Sequence, residues 1–316
     1  MDIVVKNKEI GETIMNRPKH KKNKITKKLF AMVAVMVMLL TMMGESFSHK
    51  VEAASKTTTI YSVNASALNV RSGAGTKYKT IGSLKRNAIV TVKKTMSNGW
   101  YQINYKSKKG YVSGQYISKT KVLNVPLIKQ RPQLPSGCEV TSVAMALAYY
   151  GKKVDKTVLA KEMPKDKTAL KRNKDGSIKT WGDPEVGFVG DPFGTGFTIN
   201  PKPLKKVVDK YRKGSLALYG KNFSTIEGYV KDGKPTVVWF TISHEMPYNR
   251  YWKTSKGKKI TAPSPLHAIV VTGVDKKYVY FNDPESNKQS GQHVRMAKDK
   301  FVKIYNAMGK KALVVK

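Results

Sequence analysis

Hydrophobic spacing divides residues 123–316 into an early helical part and a later strand-rich part. Apolar residues recur at helical intervals after Cys138 until Gly151, which predicts a helix over residues 139–150. Weaker helical patterns lie near residues 156–161 and 203–213. Strand patterns follow at residues 236–240, 268–272, 278–281 and 312–315. Helices followed by an antiparallel sheet predict an α+β domain.

The stretch between these two parts, residues 180–200, has weak periodicity and is rich in Gly, Asp and Pro. It contains Gly-Asp-Pro twice, at residues 182–184 and 190–192. Loops of this length in a folded domain are usually functional or disordered, so we predict a structured loop.

Residues 59–118 show a different pattern, in which about five short strands alternate with turns. The strand-like segments are residues 67–71, 80–84, 88–92, 100–104 and 110–117. Regularly spaced short strands predict a small all-β barrel. Residues 119–123 are short and polar, and we interpret them as a linker to the second domain.

The N-terminal segment has the order of a secretory signal peptide. A basic cluster ends at Lys28, residues 29–43 are apolar, and small residues flank Glu52. We therefore predict a signal peptide over residues 1–53, cut after Ala53. The apolar run is shorter than the roughly 20 residues of a membrane span, and an uncleaved N-terminal anchor is the alternative. Both interpretations place the rest of the chain outside the membrane.

Net charge and cysteine content restrict the classes of binding partner and cofactor. The formal net charge is +38, and +33 of it falls on residues 54–316, which favours polyanions such as nucleic acid, anionic membrane or cell-wall polymer. Export argues against nucleic acid and favours wall polymers. One cysteine excludes an internal disulfide framework, and no ligand spacing indicates a metal or cofactor. We expect a monomer that contacts membrane only through an uncleaved signal segment.

Cys138 is the candidate nucleophile. It is the only cysteine, and it follows a Pro-Ser-Gly turn at the start of the predicted helix. The N-terminus of a helix favours a thiolate, so we expect an accessible thiol with a lowered pKa. The alternative is an inert cysteine buried in the core.

A thiol nucleophile needs a base. Three histidines follow residue 53: His244, His267 and His293. His267 begins an apolar strand 129 positions after Cys138, close to the roughly 130–150 typical of papain-like enzymes. His244 and His293 lie in polar loops and are interpreted as surface residues.

The base needs an orienting group, and hairpin geometry indicates Asp283. The strands predicted over residues 268–274 and 278–282 would be joined by a three-residue loop, residues 275–277. In such a hairpin, two residues face each other when their numbers sum to 552. Asp283 would then be a diagonal neighbour of His267 on one face, about 7–8 Å away at the backbone. A shift of one residue in register would move Asp283 to the other face.

The oxyanion that forms on the substrate during acyl transfer needs a hydrogen-bond donor that is already in place. The backbone N–H of Cys138 is one candidate. A side-chain amide upstream is the second, and both Gln130 and Gln133 qualify by type.

Two resemblances add to these patterns. Leu68-Asn69-Val70-Arg71-Ser72-Gly73, Trp100-Tyr101 and Gly110-Tyr111-Val112 resemble a bacterial SH3-like (SH3b) domain. This implies a cell-wall targeting module whose partners are anionic wall polymers or peptidoglycan. Four aromatic residues either stack on sugars or fill the barrel core: Trp100, Tyr101, Tyr111 and Tyr116.

Residues 123–316 resemble the C39-like peptidase family of papain-fold proteins. The motifs are Leu123-Asn124-Val125-Pro126-Leu127, Gln130-x-Pro132, Gly137-Cys138-Glu139-Val140-Thr141-Ser142, Gly187-Phe188-Val189-Gly190-Asp191, Leu266-His267-Ala268-Ile269-Val270 and Asn282-Asp283-Pro284. The resemblance implies Cys138 as nucleophile, His267 as base, Asp283 as orienting acid and Gln130 as oxyanion donor. Gln130 lies further upstream of the cysteine than is usual in papain-fold enzymes, so Gln133 stays open.

The combined prediction is an exported cysteine hydrolase that cleaves a peptide or amide bond, with a peptide or wall peptide as substrate. One alternative is a hydrolase of peptidoglycan stem peptides. The other is a wall-binding protein whose second domain is catalytically silent.

Overall fold

The structure is a computed structural model that describes residues 56–285 and 291–316. The predicted signal segment, residues 1–53, lies outside the described residues. Within the described ranges, no helix has both the length and the apolar character that a membrane crossing needs.

The N-terminal domain is built from short antiparallel strands around a small core. Its strands are β1 (Thr57–Val63), β2 (Ala67–Arg71), β3 (Thr80–Lys85), β4 (Ile89–Val90), β5 (Val92–Thr95), β6 (Trp100–Tyr105), β7 (Lys108–Ser113) and β8 (Ile117–Leu123). They form two sheets, ordered β4-β1-β8 and β3-β2-β7-β6-β5. Val63, Val70, Ile103 and Val112 are fully or almost fully buried between them. Tyr101 also belongs to this core, whereas Tyr116 is exposed.

The interpretation of residues 119–123 as a linker is wrong. These residues belong to β8, which pairs with β1 from Val63↔Ile117 to Thr57↔Leu123. Lys119 and Lys121 of β8 are exposed and Ser118 and Thr120 are partly buried, while Val122 and Leu123 are buried. An antiparallel strand with one solvated face can look like a polar connection in the sequence.

In its described residues the second domain combines five helices with an antiparallel sheet, which agrees with the predicted α+β arrangement. The helices are α1 (Cys138–Tyr149), α2 (Lys156–Glu162), α3 (Pro201–Tyr211), α4 (Phe223–Lys231) and α5 (Lys298–Ala307). The strands are β9 (Lys165–Asp166), β10 (Lys171–Arg172), β11 (Ile178–Thr180), β12 (Phe188–Val189), β13 (Leu216–Leu218), β14 (Thr236–Thr241), β15 (Tyr248–Lys253), β16 (Lys259–Ser264), β17 (Leu266–Val274), β18 (Tyr278–Asn282), β19 (Val294–Ala297) and β20 (Ala312–Val314).

The main sheet has six strands in the order β13-β20-β14-β17-β18-β19, with antiparallel neighbours throughout. A smaller sheet, β10-β11-β15-β16, and the pair β12-β9 lie outside it. The core of the second domain lies between the main sheet and the helices, where Leu147, Trp239 and Phe301 are fully buried. Phe240 of β14 stacks on Phe301 of α5 at 4.6 Å between ring centroids.

Helices α4 and α5 were not predicted from the sequence. Each carries only a short apolar stripe on an otherwise polar helix: Phe223, Ile226 and Val230 in α4, and Phe301, Ile304 and Tyr305 in α5. Such stripes have the helical spacing of three and four residues. The pattern spans barely two turns and is therefore a weak signal in the sequence. Packing against the sheet supplies most of the stability of a helix this short.

The structured loop at residues 180–200 is confirmed, and its repeated Gly-Asp-Pro has a physical counterpart. In each copy the aspartate accepts a hydrogen bond from the backbone N–H two residues later. Asp183 accepts from Glu185 at 2.9 Å, and Asp191 accepts from Phe193 at 3.1 Å. These Asx turns replace regular pairing in a segment that has little of its own.

The predicted register between β17 and β18 is confirmed at the end of the pair that lies nearer His267 and Asp283. Val270 pairs with Asn282 and Val271 pairs with Phe281, both sums being 552. Nearer the turn, Val274 pairs with Val279, so the turn is one residue longer than predicted. A bulge between Val271 and Gly273 absorbs the extra residue.

The two domains share a packed interface. Arg295 of β19 is buried and donates to Ser62 of the barrel, and its guanidinium lies 3.7 Å from the centre of the Tyr278 ring. A side chain at Gly273 would come within 2.5 Å of Val122 in β8, so only glycine allows this approach. The hydroxyl of Thr120 lies 3.0 Å from that of Tyr280. The barrel is therefore held against the second domain by β8 and β19.

We expect Arg295→Met to lower the free energy of unfolding by about 2–3 kcal/mol, because it removes charged hydrogen bonds from buried barrel hydroxyls. Urea unfolding of residues 54–316 measures this loss. Arg86→Met changes an exposed arginine of the barrel and is the control. Equal stability of the two variants would show that the buried arginine does not hold the interface.

Candidate active site

The turn before α1 sets the position of Cys138. Leu134 packs against Gly137 so closely that a side-chain carbon at residue 137 would lie 2.6 Å from the Leu134 Cβ atom. The hydroxyl of Thr141 donates to the Gly137 carbonyl at 2.8 Å and fixes the first turn. Cys138 is the first residue of α1, as the sequence predicted within one residue.

The N-terminus of α1 lies against the start of β17. The Ser142 hydroxyl donates to the Ala268 carbonyl at 3.0 Å. The Ala268 backbone is also near enough to the Cys138 sulfur to lower the pKa of the thiol in part. Cys138 therefore lies beside the residue that follows His267, although 129 positions separate the two in sequence.

The expectation of an accessible thiol with a lowered pKa is wrong. Cys138 is only 6% exposed, and burial raises its pKa well above the ordinary value. A helix N-terminus stabilises an anion by about 0.3–1 kcal/mol. Full burial can change a pKa by up to about 3–5 units, at about 1.4 kcal/mol each, and so outweighs the helix. These effects favour the neutral thiol form of Cys138.

A buried carboxyl group adds to this effect. The Cys138 thiol donates to Glu139 Oε2 at 3.3 Å, and the negative charge of that carboxyl further raises the thiol pKa. Glu139 also accepts a hydrogen bond from Thr198 at 2.6 Å, and Thr198 in turn accepts one from Trp239. Burial raises the pKa of Glu139 as well. No sequence pattern indicated a role for this glutamate.

His267 and Asp283 form a direct pair. His267 Nε2 lies 2.8 Å from Asp283 Oδ1, and both side chains are buried. Because Nε2 is used by the carboxylate, Nδ1 is the ring nitrogen left to exchange a proton. Burial alone would raise the pKa of Asp283, but hydrogen bonds from His244 and His267 outweigh it and hold the pKa well below its usual range.

His244 is not the surface residue that the sequence suggested. Its Nε2 lies 3.1 Å from Asp283 Oδ2, and its ring packs edge-on against Phe281 at 5.5 Å between centroids. The turn after β14 places His244 beside Asp283, and the residues around it in sequence carry no pattern that indicates this contact. His293 lies elsewhere, half-buried before β19, and burial lowers its pKa.

The two candidate glutamines lie in different surroundings. Gln130 is buried, and its side-chain amide donates to the Pro135 carbonyl at 3.1 Å. An amide NH₂ carries two hydrogens, so a second donor remains. Its Oε1 is buried without a hydrogen-bond partner. Gln133, in the same turn, is exposed.

The Gln130 segment is tied to both the acid and a helix. The Gln130 backbone N–H donates to the Pro284 carbonyl at 2.9 Å, directly after Asp283. The buried Lys156 donates to the Gln130 carbonyl at 2.9 Å, and burial lowers its pKa. The turn that leads to Cys138 and the strand end that carries Asp283 are therefore held together by the backbone.

The chemistry, rather than cavity size, locates this site. A groove of ≈ 870 Å³ lies on the β10-β11-β15-β16 sheet, and none of the four predicted site residues lines it. Across residues 56–285 and 291–316, no group of three or more His, Cys, Asp or Glu side chains is arranged to hold a metal ion.

Family comparisons agree with both resemblances. The profile of the Peptidase_C39 like family matches residues 122–313, and that of the bacterial SH3 domain matches residues 66–118. The recognition of the two domains from their motifs is thereby confirmed.

Individual relatives cover the domains separately. YvpB of Bacillus subtilis (strain 168) is 34% identical over 202 residues, which span 62% of this chain and 76% of YvpB. A protein from Bacillus anthracis described as a C39-like peptidase is 33% identical with a TM-score of 0.53, and the match covers 61% of this chain and 94% of that one. The protein named probable endopeptidase p60 of Listeria innocua is 47% identical over 70 residues, only 22% of this chain and 15% of p60.

Glu139→Gln should lower the pKa of the Cys138 thiol, because it removes a negative charge within hydrogen-bonding distance of the sulfur. The pH at which carboxamidomethylation by iodoacetamide reaches half its maximal rate should move down. Mass spectrometry reads this reaction without ambiguity, since the chain has one cysteine. Glu162→Gln removes a carboxylate at the protein surface and is the control. The same midpoint in all three proteins would show that Glu139 does not act on the thiol.

Proposed function

Because the chain belongs to the Peptidase_C39 like family, we propose that it is an exported cysteine hydrolase that cleaves a peptide or amide bond with Cys138, His267 and Asp283. The observation that carries the proposal is the buried pair of Asp283 with His267, a residue of the strand against which the helix that begins at Cys138 packs. A nucleophile, a base and an orienting acid are the three groups that covalent acyl transfer requires.

Acylation begins from the neutral thiol. As the Cys138 sulfur bonds to the substrate carbonyl carbon, His267 Nδ1 takes the thiol proton. The ionised Asp283 holds His267 in the Nε2–H tautomer and stabilises the imidazolium that forms. When the carbon–nitrogen bond breaks, the imidazolium returns its proton to the departing amine, and a thioester to Cys138 remains.

Deacylation uses the same groups with water. His267 Nδ1 removes a proton from the attacking water, and the oxygen bonds to the thioester carbon. The carbon–sulfur bond then breaks, and the proton passes from His267 to the sulfur. The acid product leaves, and the neutral thiol is restored.

Gln130 is the proposed oxyanion donor, together with the Cys138 backbone N–H. The burial of Gln130 and the tie between its backbone and Pro284 support this assignment over the exposed Gln133. A donor fixed before the reaction costs no reorganisation when charge develops on the substrate oxygen.

A second candidate activity is hydrolysis of peptidoglycan stem peptides. What favours it is the SH3 domain together with the similarity to proteins named endopeptidase p60, although that similarity covers a small part of both chains. The remaining alternative is a wall-binding protein with a silent second domain. A single assay with wall peptides separates these alternatives from a general peptidase.

We expect Cys138→Ala to abolish hydrolysis of wall peptides or of a peptide library while leaving the fold intact. His267→Ala should be nearly as severe, because members of a catalytic unit are not additive. Asp283→Asn should be milder but still large, since it disturbs the tautomer of His267. Release of new amino termini measures turnover.

The two glutamines provide the internal control of this experiment. Gln130→Ala should slow turnover by about 10²–10³-fold if it donates to the oxyanion. Gln133→Ala should be nearly neutral. The reverse ranking would transfer the oxyanion role to Gln133, and full activity of Cys138→Ala would exclude the hydrolase.

We also propose that the exported chain begins near Ala54 and binds cell walls through the SH3 domain. The mature chain, residues 54–316, should sediment with purified walls and should remain partly bound at 1 M salt, where the Debye length is about 3 Å. The whole chain is used because β8 pairs with β1 and packs on β17, so the barrel does not end at residue 118.

Complete release from walls at high salt would leave only the charge of the chain as the cause of binding. N-terminal sequencing of the wall-bound protein checks export. A chain that still begins at Met1 would contradict a cleaved signal peptide.

A further inference from the structure

Asp283 is shared by two histidines, and each occupies a different carboxylate oxygen. His267 Nε2 lies 2.8 Å from Oδ1, and His244 Nε2 lies 3.1 Å from Oδ2. The two rings reach Asp283 from separate strands, since His267 is in β17 and His244 follows β14. A carboxylate held at both oxygens cannot rotate about its Cβ–Cγ bond without losing a hydrogen bond.

We infer that His244 is a positioning residue that fixes the Asp283 carboxylate and, through it, the ring of His267. This inference rests on the proposed function. His244 is not assigned any contact with substrate, and its effect passes through Asp283.

The backbone of His244 adopts an uncommon conformation at this contact. Its φ of 58° lies in the left-handed region, which costs a residue other than glycine about 1 kcal/mol or more. Two hydrogen bonds stabilise the turn: the His244 N–H donates to the Thr241 carbonyl at 3.2 Å, and the Thr241 hydroxyl donates to the Glu245 carbonyl at 2.7 Å. Strain that the surroundings maintain is common at functional sites.

Aromatic packing fixes the direction of the His244 ring. It lies edge-on to Phe281, and it is tilted against Phe240 at 5.9 Å. Phe240 pairs directly with His267 in the main sheet. The same sheet therefore sets the positions of both histidines relative to the aspartate.

Charged neighbours of this cluster are paired with other groups. Glu285 forms an ion pair with Arg131 at 2.6 Å, and its backbone N–H donates to Asp283 Oδ1 at 2.9 Å. Glu245 forms an ion pair with Lys300 at 2.6 Å. Among residues 56–285 and 291–316, the direct donors to the Asp283 carboxylate are two imidazoles and one backbone N–H.

Loss of the His244 donor frees Oδ2 and lets the carboxylate turn away from His267. Misplacing a catalytic group by about 1 Å can cost about 10²-fold in rate. Because the binding of substrate is not involved, the loss should fall on kcat and leave KM unchanged.

The test compares three variants of the mature chain. His244→Leu removes the donor, His244→Gln keeps a side-chain N–H, and His293→Leu is the matched control. His293 is also a left-handed histidine, with a φ of 56°, and it lies outside the contact with Asp283. Two readouts are used: kcat and KM on the cleaved peptide, and the ¹H–¹⁵N resonance of His267 Nε2–H in each folded variant.

We expect His244→Leu to lower kcat about 10- to 100-fold with KM within about twofold, and to speed the exchange of the His267 Nε2 proton with water. His244→Gln should recover most of both signals, and His293→Leu should match the wild type. An unchanged kcat and an unchanged His267 resonance in a folded His244→Leu protein would overturn the inference.

Failure of the proposed function gives a different result. A wild-type chain that cleaves nothing contradicts the hydrolase, while the His267 resonance still shows whether His244 fixes the pair. If the resonance is insensitive to His244→Leu, the positioning role is excluded even in an active enzyme.

Discussion

The buried negative charge of Asp283 is the constraint on which the site depends. A carboxylate removed from water is stable only when donors surround it, and here two imidazoles and a backbone N–H do so. The two imidazoles come from other parts of the chain, so these two donors are in place only in the assembled fold. The fold in turn fixes His267 in one tautomer, since the carboxylate accepts from Nε2.

At the proposed nucleophile, the surroundings favour the uncharged form of the side chain. Cys138 has the helix N-terminus that favours a thiolate, but its burial and the neighbouring Glu139 favour the neutral thiol. In the proposed mechanism the thiol proton therefore moves during the attack rather than before it. The proposed acceptor is His267, which is hydrogen bonded to Asp283.

The sequence predicted those parts of the site that depend on local pattern. Cys138 at a helix start and His267 at a strand start follow from hydrophobic spacing, and Asp283 follows from hairpin register. His244 could not be predicted in this way, because its contact spans 39 positions and depends on a left-handed turn. The burial of Cys138 was missed for a related reason, since the covering residues are distant in sequence. The strand β8 was mistaken for a linker because residues 118–121 are all polar, and Lys119 and Lys121 among them are exposed.

The continuity of β8 with the second domain has a mechanical consequence. Two residues after β8 ends, the Val125 carbonyl accepts a hydrogen bond from the side chain of Asn282 at 2.9 Å. Asn282 is the last residue of β18 and directly precedes Asp283. A pulling force on the barrel would therefore be transmitted toward Asp283 through residues 124–125 and this hydrogen bond. If the barrel anchors the chain to the wall as proposed, tension on that anchor acts on the strand end that precedes the proposed catalytic acid.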